Sequence, residues 1–468
     1  MMYRKTMNRW FSGMLLFVLV FALGAPASAN LLYTAQTYYT NTVLGKVVGN
    51  NVNLVATGIG GDWGQGIFPF KDAFDEDRVA VTLYQGGSDA IKILKPSSLS
   101  WTSPVATTSD AAQSNIRKMV SLGDYLYGIS YGNNPYQGLS ADVAHVRRFN
   151  MNNDEYASDG TSFPYNPQPK QGHGEGLVVY GDHLYAILTA VTGSYPNFDY
   201  EPDKLVKLTP DLAVAHSVDL VGRNTDGGTP GAYCQDGAML YVTSWGGNQP
   251  VNVGMLPYRK DTRIESADLS VGSLPHHMCI QGYVMPARDP GWEHYFTAVA
   301  VVNGQAYVQA SRWNLREARD LTPSQVRAAG IRTGGEVRLY KVPVDQLGAL
   351  SGEHRVATIS FSDGWRLGLA ADGDYLYMAA GKDLYRYKLS PAFALDRTFT
   401  PDVLSGDISA FASVPSLREV FAAETAPNGP RQAEGEASNE GKKGGCDAGF
   451  GFLALLAVAP AVLYRRRG

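Results

Sequence analysis

Residues Ala371–Leu389 read ADGDYLYMAAGKDLYRYKL, and this stretch decides the architecture. Asp372-Gly373-Asp374 is a turn signal, and Tyr375 to Ala380 alternates large and small residues with a period of two. Gly381-Lys382-Asp383 turns again, and Leu384 to Leu389 alternates once more, so the segment encodes a turn, a strand, a second turn and a second strand. The same phrase returns as Gly123-Asp-Tyr-Leu-Tyr127, Gly181-Asp-His-Leu-Tyr185, Asp236-Gly-Ala-Met-Leu-Tyr241 and Asn303-Gly-Gln-Ala-Tyr307. The chain is therefore built from a repeated antiparallel unit.

Working outward, seven anchors end at Tyr33, Val81, Tyr127, Tyr185, Tyr241, Tyr307 and Tyr377, with spacings of 48, 46, 58, 56, 66 and 70 residues. Each anchor after the first is preceded by an apolar strand (Gly66–Phe70, Ile116–Val120, Gly176–Tyr180, Gly231–Cys234, Phe296–Val302, Leu367–Ala371) and followed by a more polar one. Four strands in forty to fifty residues, lengthened by loop insertions, resemble the blades of a β-propeller. The expectation is an all-β protein with a propeller over residues 30–425, seven blades in the leading reading and six or eight in the alternatives. The first unit, Leu31–Gly58, lacks an innermost strand, and Asp407–Glu424 reads as a strand pair without a blade. Strands from both termini would thus close the ring and leave no open edge. Two insertions, Ser324–Ala329 and Pro343–Leu350, read as short helical decorations. The phrase marks the fold and no particular family, since the Trp-Asp dipeptide is missing and the double glycines form no consistent kelch repeat.

Composition agrees with many short strands: 51 Gly, 25 Pro and 27 Tyr stand beside 18% charged residues. Setting aside Arg4, Lys5, Arg9 and Arg465 to Arg467 leaves 34 Lys plus Arg against 44 Asp plus Glu. An acidic body of this kind argues against nucleic acid as the partner.

The two ends read as addresses. Residues 1–29 carry a basic start, an apolar run from Met14 to Leu23 and the small-residue exit Ala27-Ser28-Ala29. This is the pattern of a secretory signal peptide cleaved before Asn30. At the other end, residues 426–445 hold no aliphatic side chain larger than Ala and read as a disordered linker. Then come Gly444-Gly445-Cys446-Asp447-Ala448-Gly449, an apolar run Phe450–Tyr464 interrupted by Pro460, and Arg465-Arg466-Arg467. Over about 25 residues this order resembles the bacterial C-terminal sorting signals, most closely the Synergistes type, which carries Cys-Asn-Ala-Gly where this chain has Cys446-Asp-Ala-Gly449. The resemblance implies recognition of residues 446–468 by a membrane sorting protease, retention at the cell surface, and Cys446 as the attachment or lipidation point. An apolar run of fifteen residues is short for a stable span, and the Arg cluster would stay cytoplasmic. An ordinary tail anchor is the alternative.

Chemistry is sought in the loops that enter the innermost strands, because these meet at the channel mouth. They hold Asp62-Trp63-Gly64-Gln65, Asn115-Ile116-Arg117, His173-Gly174-Glu175, Asn224-Thr225-Asp226, Trp292-Glu293-His294 and Asp363-Gly364-Trp365-Arg366. Aromatic rings, carboxylates, amides and Arg in a concave site suit an extracellular carbohydrate or peptide, so Trp63, Gln65, Arg117, His173, Glu175, His294, Trp365 and Arg366 are the candidate ligand-binding residues. The bland reading is that Asp, Gly and Asn make turns there and that Trp plugs the channel. His173 and Glu175 would lie on one face of an extended segment and could share a proton. An enzyme reading would use Glu175, Asp62 or Asp363 as acid or nucleophile with His173 assisting, in a hydrolase or lyase acting on polysaccharide or peptide. The preferred reading is a non-catalytic ligand- or partner-binding protein, and a purely structural envelope role is the third. Cys234 and Cys279 suggest one disulfide in an exported protein, with two buried thiols as the alternative. No calcium loop, phosphate loop, Gly-x-Ser-x-Gly elbow or zinc spacing is found, so no metal or cofactor is expected.

Overall fold

The repeated hairpin lays down a ring of seven sheets, each of four strands running outward from an innermost one, the sheet that begins at Gln171 carrying a fifth strand, Asn197–Tyr200, off its path. The computed structural model describes residues 30–37, 41–61, 63–84, 91–102, 115–132, 143–152, 156–168, 170–194, 197–248, 259–260, 262–271, 276–280, 294–313, 334–362 and 366–414. The expected signal peptide, linker and sorting segment lie outside the described residues, as does the expected helix at Ser324–Ala329.

Blade 1 is made from both termini: Asp407–Ser413 is its innermost strand, followed outward by Asn30–Thr37, Asn41–Val48 and Asn51–Ala56. The ring is closed as the sequence predicts, with Asp407–Ser413 as the contribution of the C-terminal side; residues 415–424 of the expected strand pair lie outside the described residues. Blades 2 to 7 run from the centre outward in chain order and begin at Trp63–Lys71, Ile116–Leu122, Gln171–Tyr180, Tyr233–Asp236, Tyr295–Val302 and Arg366–Asp372. The expected helix at Pro343–Leu350 is a 3-10 turn over Val344–Ala349.

The Gly-Asp-x-Leu-Tyr phrase has a physical reading in this frame. Its Gly closes the hairpin between the first and second strands with a positive φ, near 55 to 69° at Gly123, Gly181, Gly237, Gly304 and Gly373. That region costs an L side chain free energy and Gly none. The Leu and Tyr that follow point to opposite faces of the second strand. Tyr127 of blade 3 and Leu184 of blade 4 share one core, Tyr185 and Leu240 the next, and Tyr307 and Leu376 another. Seven such cores each join one blade to its neighbour. The phenol oxygens finish the joint: Tyr127 donates to the Pro210 carbonyl at 2.8 Å and Tyr185 to that of Leu269 at 3.0 Å.

Polar ties supplement these cores. Gln309, fully buried in blade 6, donates to the Ala379 carbonyl of blade 7 at 2.8 Å and accepts the Gly368 amide at 2.8 Å. Arg386 of blade 7 reaches blade 1 through the Gly49 carbonyl and the Asn50 side chain, with Asp396 as its counter-charge.

The expected Cys234–Cys279 disulfide does not form. Cys234 is a free thiol on the innermost strand of blade 5, and Cys279 lies on the outermost, His276–Ile280, with two strands between them. Strands spaced about 4.8 Å apart put the two backbones roughly 14 Å from one another, where a disulfide needs Cα atoms within about 7 Å. Among the described residues no helix is long and apolar enough to cross a membrane; the apolar run at 450–464 is outside them.

Candidate functional site: a ring of bulged residues at the channel

Five innermost strands break register at a similar level. The irregularity falls between Gly64 and Gly66, Ile116 and Lys118, Gly174 and Gly176, Phe296 and Ala298, and Ile408 and Ala410. The extra residues are Gln65, Arg117, Glu175, Thr297 and Ser409. A bulge re-aims the side chain it inserts, which is how five polar residues come to a similar height in otherwise apolar strands. Ser409 stays within its own blade, 2.9 Å from the Thr34 hydroxyl. Thr297 turns back into its own blade and is held by Gln309 at 2.9 Å. Arg117 and Glu175 meet a fifth element, the turn Asp226–Thr229 that leads into blade 5.

This turn is seated on the bulges. The Arg117 Nη1 lies 3.2 Å from the Asp226 Oδ1, and the Gly227 amide donates to the Glu175 Oε2 at 2.9 Å. Asp226 also accepts the Gly228 amide at 3.2 Å and the Thr229 hydroxyl at 3.0 Å. Gly227 is required by close approach, since a Cβ there would stand 1.5 Å from the Glu175 carbonyl oxygen; one at Gly228 would stand 1.7 Å from the Arg117 Nη1 and would displace that guanidinium. The turn is fixed from behind by Asp203 of blade 4, which is wholly buried. Its two oxygens accept from the Thr189 hydroxyl (2.7 Å), the Asn224 and Thr225 amides (3.0 Å each) and the Thr225 hydroxyl (2.7 Å).

Beside this network the Arg117 guanidinium lies 4.3 Å from the Tyr131 ring centre, and Tyr131 stacks on His173 with centroids 4.1 Å apart. His173 and Glu175 do not share a proton. The bulge at Glu175 breaks the alternation expected of an extended segment, and neither ring nitrogen of the buried His173 has a hydrogen-bond partner. Burial, helped by the Arg117 charge, lowers the His173 pKa to about 3, so the ring is neutral. Burial drives the Glu175 carboxyl well above its usual range, with the Asp226 charge adding to it and Arg117 and the Gly227 amide opposing.

The remaining candidates are scattered. Gln65 lines the channel cavity together with Arg117. His294 instead binds Glu336 of its own blade at 3.1 Å, in a cluster where Arg312 and Arg338 approach the same carboxylate at 2.7 and 2.8 Å. It is a structural residue, and burial with the two guanidinium charges lowers its pKa to about 4. Arg366 begins the innermost strand of blade 7 opposite Gly381 and is half-buried. Trp63 begins that of blade 2 opposite Tyr84. Asp62, Asp363 and Trp365 lie outside the described residues. Sequence reasoning placed Asp226 in an entry loop without assigning it a role, and missed Asp203, Tyr131 and Lys118. Among the described residues no three His, Cys, Asp or Glu side chains gather as a metal site would require.

The channel itself has a cavity of about 170 Å³, bounded by Gln65–Phe68, Arg117, Lys118, Gly227–Tyr233, Leu369–Ala370 and Ala410–Ser413. The loop before blade 5 covers part of this wall: the Val299 amide donates to the Gly231 carbonyl and the Leu369 amide to that of Pro230, both at 2.7 Å.

No family model matches the chain, and no curated protein matches it. Among solved structures it is similar to apo AztD from Citrobacter koseri at 10% identity, covering 83% of this chain and 98% of that one with a TM-score of 0.41. It is also similar to hydrazine synthase of Kuenenia stuttgartiensis (11% identity, 70% and 76% covered, TM-score 0.40). A third is the acylaminoacyl peptidase of Pyrococcus horikoshii (10% identity, 80% and 53% covered, TM-score 0.38). At these values none of them bears on function.

One prediction follows from the buried acid. A carboxyl whose folded-state pKa is raised holds its proton more tightly folded than unfolded, so its stabilising contribution is complete below the unfolded value, about 4.3, and is lost as pH rises toward the folded one. His173 and His294, buried neutral, pull stability the other way over the same range. The comparison is therefore with Glu175→Gln: from pH 4 to pH 7 the unfolding free energy measured by urea titration should change more negatively in the native protein than in the variant. Equal slopes would mean that Glu175 is ionised in the fold.

Proposed function

We propose that this chain is an exported β-propeller, held at the cell surface by its C-terminal tail, that binds a ligand in the central channel without transforming it. The observation that carries the non-catalytic reading is the state of the channel carboxylates. Glu175 is 3% exposed and lies beneath the Asp226–Thr229 turn, and Asp226 is bridged to Arg117. A general acid or nucleophile must reach its substrate within hydrogen-bonding distance, and both of these groups are spent on holding the rim together. The cavity is lined by main chain and small residues together with Gln65, Phe68, Lys118 and Tyr233, a surface suited to recognition.

Export rests on the order of charges and apolar residues at the N-terminus, and surface retention on Gly444-Gly445-Cys446 with its apolar run and Arg cluster. The Asn30 amide, which signal cleavage would free, is already bound at 2.7 Å to the buried Asp372 carboxylate. A chain beginning at Asn30 therefore has a place prepared for its first residue.

Two measurements test this reading. Intact mass and fractionation of the native protein should give a chain starting at Asn30 and ending near Cys446 with added lipid-sized mass, released from the membrane fraction by Cys446→Ala. A membrane-bound chain that still carries Arg465 to Arg467, indifferent to that substitution, would refute sorting. Screening the protein against glycan and peptide arrays should give a bound class recovered with unchanged mass. A chemically altered ligand would restore the hydrolase reading.

A further inference from the structure

Lys118 is the one channel-lining cation for which no described residue supplies a counter-charge. Its amine lies over two aromatic rings, 5.0 Å from the centre of Phe68 and 5.6 Å from that of Tyr233, and makes no hydrogen bond or ion pair with a described residue. Its neighbour Arg117 is different, being neutralised by Asp226. Two cavities meet at this amine. The channel cavity of about 170 Å³ and a second of about 330 Å³ share Phe68, Lys118 and Tyr233 as lining, and the second continues over Phe70, Leu177 and Val179. A cation on ring faces gains some attraction from the ring quadrupoles, but a partly desolvated ammonium without an anion remains costly.

We propose that Lys118 anchors an anion site, and that the channel ligand carries a carboxylate which meets the Lys118 amine and an apolar body which lies on Phe68, Tyr233 and the aliphatic wall of the larger cavity. This rests on the reading of the channel as a ligand site and names the chemistry of the ligand. The carboxylate supplies the missing partner as a charge-assisted hydrogen bond, and the apolar wall explains why a cavity with a charged floor is lined by Leu and Val. A free organic acid and the C-terminus of an apolar peptide offer the same chemistry.

The groups around Lys118 make its protonation readable. The innermost strand of blade 2 presents Phe68, that of blade 5 presents Tyr233 and Cys234, the second strand of blade 3 pairs it with Ile129, and the carboxylates of blade 4 and its turn face Arg117. Burial lowers the Lys118 pKa to about 8, with Cys234 the one neighbour that opposes. The amine is thus charged below about pH 8 and neutral above it, while a carboxylic acid stays ionised throughout.

The test is calorimetric titration of the full chain with hexanoate and hexanamide, and with the dipeptide Ala-Phe and its C-terminal amide. Each acid should bind at least about tenfold more tightly than its amide at pH 7, as a hydrogen bond to a charged partner requires. The preference should vanish at pH 9.5 in the unaltered protein, vanish in Lys118→Met at every pH, and persist in Lys118→Arg. Preference for hexanoate over the dipeptide would identify a free acid as the ligand type, and the reverse a peptide terminus. Amides that bind as tightly as acids, unaffected by Lys118→Met, would overturn the anion site and leave channel binding standing. Failure of every acid to bind would overturn it as well, while channel binding itself stands or falls on the array screen.

Discussion

Replacing Asp203 by Ala is expected to lower the stability of the folded protein by about 4 kcal/mol, the upper range for a buried polar group whose partners are left unmet. Four donors converge on this carboxylate, two hydroxyls and the amides of Asn224 and Thr225, and none of the amides can rotate toward another acceptor. Burial lifts the Asp203 carboxyl to about 6 against the pull of those donors, so desolvation of the charge is only partly offset. Asn, neutral at every pH and able to accept through one oxygen, should therefore be tolerated better, at about 2 kcal/mol, the cost of one or two donors facing its amide group. Urea unfolding of both variants checks the order. An Ala variant within about 1 kcal/mol of the native protein would show that the Asp226–Thr229 turn is held by other means. The effect reaches the channel because the same turn carries Asp226 to Arg117 and Gly227 to Glu175.

Much of the ring was legible because its signal is periodic. The Gly, Leu and Tyr of the repeated phrase have the same jobs from blade to blade, a positive-φ turn and two interblade cores. Closure by both termini was legible for the same reason, since Leu31–Gly58 carries the second-strand anchor and no strand before it. The site was not, because it depends on register. A period of two assigns His173 and Glu175 to one face, and the one-residue bulge at Glu175 cancels that assignment. A signal was present in Gly64-Gln65-Gly66 and Gly174-Glu175-Gly176, where a polar residue flanked by glycines interrupts a strand. Asp203 and Lys118 offered no such mark. Each sits at an ordinary polar position of a strand, and only the packing of neighbouring blades buries the one and strips the other of a counter-ion. The Cys pair failed for a related reason: the number of strands between two positions is invisible in their sequence separation.

The second large effect concerns the first residue of the expected mature chain. Asn30 is fully buried, its amide nitrogen is 2.7 Å from the Asp372 Oδ2, and its carbonyl accepts the Val414 amide at 3.3 Å. In a chain cleaved before Asn30 that nitrogen is an α-amino group, and its hydrogen bond to Asp372 becomes a buried ion pair joining blade 1 to the innermost strand of blade 7. Removing one partner of such a pair leaves the other charge uncompensated, at about 3 kcal/mol or more. Asp372→Asn should therefore cost about 3 kcal/mol in a chain that begins at Asn30. In a chain that keeps Ala29 as an extra first residue the nitrogen is again an amide, and the same substitution removes one hydrogen bond to a carboxylate, at about 1.5 kcal/mol. Urea unfolding of the four proteins forms a double-mutant cycle whose coupling, about 1.5 kcal/mol, isolates the charge on the new terminus. Additive costs would mean that the α-amino group is hydrated elsewhere and that cleavage leaves the ring as it was. A positive coupling would mean that a terminus at Asn30 tightens the junction between the first blade and the last.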